Sequence, residues 1–182
     1  MSIIFVILLI CKVSIAPVIP DHALAVERVK AELVRKEKAR QFDLFVDHLG
    51  MRESNNQWDI INPINCMGKY QFAPRTLRSL GYGHITPSSF RRNPNIFPEE
   101  LQYKVLIELL KSNEIILKEH FLFIGKTIKG VEITKAGILA SAHLAGARNV
   151  KLFLESSGQI NPCDMFGTSL KTYMNEFSIY NI

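Results

Sequence analysis

The sequence predicts an all-α domain, and three features carry that expectation. Phe42, Phe45, Val46 and Leu49 fall at i, i+3, i+4 and i+7, the spacing of a single apolar stripe on a helix. Leu101, Val105, Leu106, Leu109, Leu110, Ile116 and Leu117 outline a longer helix between Glu99 and about His120. Long alternating runs of apolar and polar residues, which would signal half-buried strands, are absent.

The remaining elements follow from start and stop signals. Residues 23–40 are rich in Ala, Leu, Lys, Arg and Glu without Gly or Pro, which reads as a solvated basic helix linking the N-terminal segment to the domain. Residues 54–72 mix Asn, Asp, Pro and Gly with aromatics and read as a structured loop. Pro74 can open a short helix that Gly81 stops. Residues 82–98, with three prolines, are expected to form a second loop. Gly125 to Gly130 reads as a turn. Thr134 can cap a helix that ends at Gly146, and further helices are expected from about Asn149 to Ser156 and from Thr168 to Phe177. The domain is expected to span residues 41–182, behind an arm over 17–40.

Ile3 to Cys11 are nine uninterrupted apolar residues, followed by Lys12 and Ser14-Ile15-Ala16-Pro17. A bilayer span needs about 20 apolar residues, so this run is too short for one. It suits the apolar region of a secretory signal over residues 1–16, with Ser14-x-Ala16 as a small-x-small cleavage site. An uncleaved anchor or a hydrophobic core strand are the alternatives. Export to the periplasm or cell envelope would leave Cys66 and Cys163 as one disulfide pair or two separate thiols. No Cys/His spacing resembles a zinc site, so no metal or other cofactor is expected.

The chain has 182 residues, 47% hydrophobic, with a net charge of +5. That composition excludes a disordered tail, a collagen-like chain and a disulfide-dense mini-protein. The positive excess is concentrated before residue 41, and only +2 remains beyond it. A nucleic-acid binder would concentrate more charge on its folded part, so no nucleic-acid partner is expected. The basic arm fits weak contact with anionic lipid or cell wall.

Four residues after Leu49 comes Glu53, where the helix would place its next core residue, near its C-terminal end. A carboxyl there loses hydration and meets the negative end of the helix dipole. Both effects favour the protonated form, which can donate a proton to a glycosidic oxygen. If the helix instead frays at Gly50, Glu53 is an ordinary surface residue.

Arg52-Glu53-Ser54-Asn55-Asn56, then Met67-Gly68-Lys69-Tyr70-Gln71-Phe72, Thr76 and Leu80-Gly81, and finally Ala140-Ser141-Ala142-His143-Leu144-Ala145-Gly146, occur in an order that resembles the soluble lytic transglycosylase and goose-type lysozyme superfamily. The resemblance spans about residues 42–155. It departs from the family in the third motif, where Ala-Tyr-Asn-Ala-Gly is usual and this chain has His143-Leu144. It implies a lysozyme-like helical domain, monomeric and without cofactor, whose substrate is the glycan strand of peptidoglycan. Glu53 would be the single acid/base, protonating the leaving oxygen and then deprotonating the muramoyl 6-hydroxyl to leave a 1,6-anhydro product. Tyr70 and Gln71 would line the cleft, although Tyr70 also suits the core. Trp58 would stack on a sugar or be buried. His143 would stand where the family's tyrosine faces the Glu, or be a satisfied core histidine. Ser54 would contact substrate or bond the local backbone. Asp59, the nearest second carboxylate, reads as structural. The rivals are a hydrolytic lysozyme-type glycosidase, which uses two carboxylates, and an inert peptidoglycan-binding scaffold.

If the leader is cleaved, mature protein from its native host should begin near Pro17 by intact-mass measurement. A full-length cytoplasmic product refutes export.

Overall fold

The structure, a computed structural model, describes residues 21–182, so the expected leader, Cys11 and Pro17 to Pro20 lie outside the described residues. Helix accounts for 62% of the structure, with one two-stranded hairpin. Among the described residues no helix is long and apolar enough to cross a membrane.

The Ala-, Lys- and Glu-rich segment and the Phe42–Leu49 stripe are not two helices but one, α1 (Asp21–Ser54). Gly50 does not break it. The described chain divides into two compact units after Lys36. In the first, Val26, Val29, Leu33 and Val34 are exposed, and Lys30–Glu27, Arg35–Glu32 and Lys36–Glu32 pair at one-turn spacing. Each such exposed pair supports the helix by about 0.3–0.5 kcal/mol.

The second unit, Glu37–Ile182, holds the core. Phe45, Val46 and Leu49 are buried against residues of the 60–72 loop, of α4 (Glu99–Ile116), of α5 (Lys135–Ala145) and of α7 (Leu170–Phe177). A second cluster joins α5 and α7 to α6 (Ala147–Glu155) and to a hairpin of β1 (Thr127–Ile128) and β2 (Val131–Glu132). Lys129 and Gly130 turn this hairpin with φ of 50° and 80°, the two-residue turn that matches strand twist.

Helix α5 belongs to both clusters. Its residues Ala136 to Ala142 are all buried and mostly small. A glycine inside a helix costs about 1 kcal/mol relative to alanine, yet Gly137 has a reason to be there. A Cβ at that position would lie 2.7 Å from the Met174 carbonyl oxygen. Without it, α7 closes directly on α5.

Residues 82–98 depart from the expected loop. Within them lie α3 (Pro87–Arg92) and a 3-10 turn over Pro94–Ile96, preceded by α2 (Pro74–Ser79). The three prolines serve as helix starters: Pro87 and Pro94 open the two elements and Pro98 precedes α4, positions where a missing N–H costs nothing. Thr86 and Ser89 form a reciprocal cap, and Phe90 is fully buried. The helix expected to reach His120 ends at Ile116 and tightens into a 3-10 segment over Lys118–Phe123.

The 60–72 loop is shaped by isolated bridges pairing Met67 with both Ile61 and Phe72. It is fixed to α4 by Gln102, which is fully buried. The Gln102 Oε1 accepts the Lys69 N–H at 2.6 Å, and its Nε2 donates to the Trp58 and Phe97 carbonyls, both at 2.7 Å. Gly68, at φ 78°, sits against that carboxamide, and a Cβ there would collide with it.

Replacing Gln102 by Leu would leave two carbonyls and one N–H buried without partners, so Gln102→Leu should destabilise the fold by about 3 kcal/mol. Denaturant unfolding measures this, with Gln159→Leu, an exposed change expected to fall within about 0.5 kcal/mol, as control.

Candidate active site

Glu53 is the penultimate residue of α1, half-buried one turn beyond the fully buried Leu49. The helix end is pinned by Ser54, whose Oγ donates to the Lys69 carbonyl at 2.7 Å and to the Gly50 carbonyl at 3.3 Å. Asn55 and Asn56 then reverse the chain at φ of 53° and 59°, a conformation that asparagine tolerates better than most residues.

The partner of Glu53 comes from the other end of the sequence. Tyr173, on α7 and 1% exposed, donates its hydroxyl to Glu53 Oε1. Burial first, and the Glu53 carboxylate second, push the Tyr173 phenol well above its ordinary value of 10.0, so it remains a donor. The Arg52 guanidinium lies over the same ring, 5.6 Å from its centroid, and its Nε donates to Glu176 Oε2 at 3.3 Å. The other Glu176 oxygen is 3.1 Å from His48 Nε2, and Tyr180 meets His48 Nδ1 at 2.9 Å. Two turns of α1 are thus cross-linked to α7 and the residues after it.

Glu53 opens onto a cavity of about 290 Å³, whose walls include Asn62, Gln71, Leu144, Asp164 and Tyr173. Gln71 and Leu144 also line a neighbouring groove of about 720 Å³. Gln71, at φ 49°, donates its Nε2 to the Gly68 carbonyl at 2.8 Å, while its Oε1 is buried without a partner. An acceptor held by its own loop at the junction of two cavities suits a ligand N–H or hydroxyl.

Of the residues expected from sequence, Glu53 and Gln71 share this cavity. Ser54 is buried and spent on backbone carbonyls. Tyr70 is 2% exposed, in the core, and its phenol is pushed up chiefly by burial. Trp58 is half-buried and does not line the Glu53 cavity, and Asp59 is exposed and does not line it either. His143 lies on the groove side, its Nε2 2.8 Å from the Tyr70 carbonyl and its ring edge-on to Phe72 at 5.9 Å. The hydroxyl facing Glu53 comes from Tyr173 instead.

Tyr173 and Asp164 are the residues that sequence reasoning missed. Tyr173 falls in an apolar stripe with Leu170, Met174 and Phe177, so the pattern marks it as core and gives no sign of its hydroxyl's target. Asp164 Oδ1 accepts the N–H groups of Phe166 and Thr168 at 2.9 and 2.7 Å, an Asx turn that leaves its second oxygen outside those bonds. Cys66 and Cys163 are both free, with burial pushing the Cys66 thiol up. Among the described residues no three His, Cys, Asp or Glu side chains are placed to hold a metal ion.

No family model matches the chain, and neither the curated proteins nor the solved structures include a match.

Because the folded chain retains the Tyr173 proton above pH 10.0 while the unfolded chain releases it, stability is whole below that pH and falls as pH rises beyond it. Alkaline unfolding followed by circular dichroism should therefore be less steep in Tyr173→Phe. Phenolate absorbance of the folded proteins near pH 10 should be the same for both, because this phenol ionises only on unfolding.

Proposed function

We propose that this chain is a peptidoglycan lytic transglycosylase with a lysozyme-like domain, exported to the periplasm or cell envelope and acting as a monomer without cofactor. The observation that carries the reading is the Glu53 carboxyl, half-buried at the end of α1 and met by the Tyr173 hydroxyl, at a cavity that adjoins a groove large enough for sugar rings. The order of motifs in the sequence supports the same reading.

In this mechanism the Glu53 carboxyl protonates the glycosidic oxygen between N-acetylmuramic acid and N-acetylglucosamine. As the bond breaks, the resulting carboxylate takes the proton of the muramoyl 6-hydroxyl, whose oxygen closes on C1 to give the 1,6-anhydro ring. The nucleophile is tethered to the reacting sugar, so its effective concentration is high and no second carboxylate is required. Tyr173 holds one carboxyl oxygen in place and leaves the other for the proton. Gln71 Oε1 can accept from a sugar N-acetyl N–H or hydroxyl.

One observation favours a second reading. Asp164 lines the cavity that Glu53 lines, and a carboxylate there can act as base for a water molecule. The enzyme would then be a hydrolytic lysozyme-type glycosidase with Glu53 as acid.

Digestion of purified peptidoglycan with mass spectrometry of the soluble products separates the readings. Glu53→Gln should stay folded and lose about a thousandfold in rate. The main products should be one water lighter than hydrolytic ones, without a reducing muramoyl end. Asp164→Asn keeps an acceptor for Phe166 and Thr168 and should cost little. Reducing-end products together with a loss in Asp164→Asn as large as in Glu53→Gln would make the protein a hydrolase. No product from wild type would leave the inert wall-binding scaffold.

A further inference from the structure

We infer that the chain has a second binding site, a pocket between α1 and the start of α4 that takes an aliphatic amine, an ammonium group on an apolar stem. The pocket encloses about 410 Å³, within the range of small-molecule sites. It shares no residue with the Glu53 cavity or with the groove beside it. The inference therefore stands apart from the proposed reaction.

Charge sets the sign of the ligand. Asp43 and Asp47 line the pocket from α1, and Glu99 and Glu100 line it from α4. Against these four carboxylates Lys69 is the one cation in the lining, which leaves three negative charges uncompensated. Glu99 and Glu100 have a local reason to be there, since carboxylates suit the first turn of a helix. Asp43 and Asp47 have no such reason. They lie one turn apart in the interior of α1, a spacing at which like charges repel. Asn56 Nδ2 donates to Asp47 at 3.2 Å. Among the described residues Asp43 and Glu100 have no ion-pair or hydrogen-bond partner.

The independent observation is the Tyr70 hydroxyl. Tyr70 is 2% exposed and lines this pocket, yet among the described residues its hydroxyl makes no hydrogen bond. Burial first, then Glu99, Tyr103 and Asp47, push the phenol above its ordinary value, and all three of those residues line the pocket. The hydroxyl therefore lies on the pocket side and keeps its proton. The carboxylates around it only accept, so the lone pairs of the hydroxyl oxygen lack a donor. An ammonium N–H is a donor that the carboxylates would hold as well.

The pocket already holds one group of this kind. Lys69 Nζ donates to Glu99 Oε1 at 2.8 Å and lies 5.8 Å from the centroid of the Tyr70 ring. One ammonium thus meets a carboxylate and an aromatic face. That contact engages Glu99 and leaves Asp43, Asp47 and Glu100 for a ligand. Bare metal ions are not what remains to be held, because among the described residues no three carboxylates are placed to coordinate one. Val46 and Tyr103 supply the apolar part of the wall. A methylene stem can lie along them while its charged head meets the carboxylates.

The test is a chemical-shift titration of the isotope-labelled full-length chain at constant ionic strength. The probes are pentylamine, cadaverine, a blocked lysine peptide, pentanol and magnesium chloride. The amines should saturate one site, reported by the amides of Val46, Lys69 and Tyr103. Pentanol should bind at least about tenfold more weakly than pentylamine, the scale of one charge-assisted hydrogen bond. Tyr70→Phe keeps the ring, removes only the oxygen, and should weaken amine binding by about the same factor. Asp43→Asn with Glu100→Gln, at exposed positions, should weaken it at least as much without touching the core. Lys69→Met keeps the stem and removes the competing cation, so amine affinity should rise severalfold. Glu53→Gln should leave amine binding unchanged. Tighter binding of cadaverine than of the lysine peptide makes the ligand a free amine, and the reverse makes it a lysine of a partner protein. Magnesium binding as tight as that of cadaverine, amine binding indifferent to the carboxylate and Tyr70 changes, or no shift with any probe overturns the inference. Failure of amine binding would leave the proposed cleavage of peptidoglycan intact, and failure of cleavage would leave the amine site intact.

Discussion

The buried carboxamide of Gln102 is the contact on which the site side of the molecule depends. The residues between α1 and α2 have too little regular structure to hold themselves in place, since their ladder amounts to isolated bridges at Ile61, Met67 and Phe72. Gln102 supplies what a sheet would otherwise supply, with one acceptor and two donors all matched to backbone at 2.6–2.7 Å. A polar group in the core is costly unless every bond is made, so the arrangement tolerates little displacement of Trp58, Lys69 or Phe97. It also dictates Gly68, because the carboxamide occupies the space a side chain would need. Ser54 and Gln71, which flank Glu53 in space, bond to the carbonyls of Lys69 and Gly68. Their positions therefore follow from that of the loop.

A second constraint acts through backbone approach. Helix α5 is built of small residues, and Gly137 lets the Met174 carbonyl come close. Tyr173 is adjacent to Met174 and reaches Glu53 from there. A larger residue at position 137 would push α7 outward, and the loss would reach the site as well as the core. The contacts among Arg52, Glu176, His48 and Tyr180 add a polar clasp along the same seam. These groups are partly exposed, so the clasp orients α7 more than it stabilises the fold.

The polar groups of the site divide by how fully they are satisfied. Ser54 and Gln102 have their bonds inside the protein, and their work is structural. Gln71, Asn113 and His143 each keep one buried polar atom without a partner, and all three line the groove. Buried orphans are uncommon in folded proteins because each carries a desolvation cost. Their concentration along one groove beside a half-buried carboxyl is the strongest structural support for a binding function there.

The sequence by itself determined the helical class, the stripe through Phe45, Val46 and Leu49, the arrival of Glu53 at a helix end, and the starts of α2 and α5 at Pro74 and Thr134. These are local matters, set by periods of 3.6 residues and by capping chemistry within one turn. Local signals also misled where two of them competed. The prolines of residues 82–98 mark loops and helix starts alike, and only the burial of Phe90 and the Thr86–Ser89 cap decided for helix. Tertiary structure alone decided that Tyr173, 120 residues away, would meet Glu53, that His143 would turn to the Tyr70 carbonyl, and that Asp164 would enter the cavity. The first depends on how closely α5 and α7 approach, which Gly137 and its small neighbours permit, and the other two on where the loops carrying Tyr70 and Asp164 are held. A periodic pattern reports that a face is buried, but not which side chain on another element it will meet.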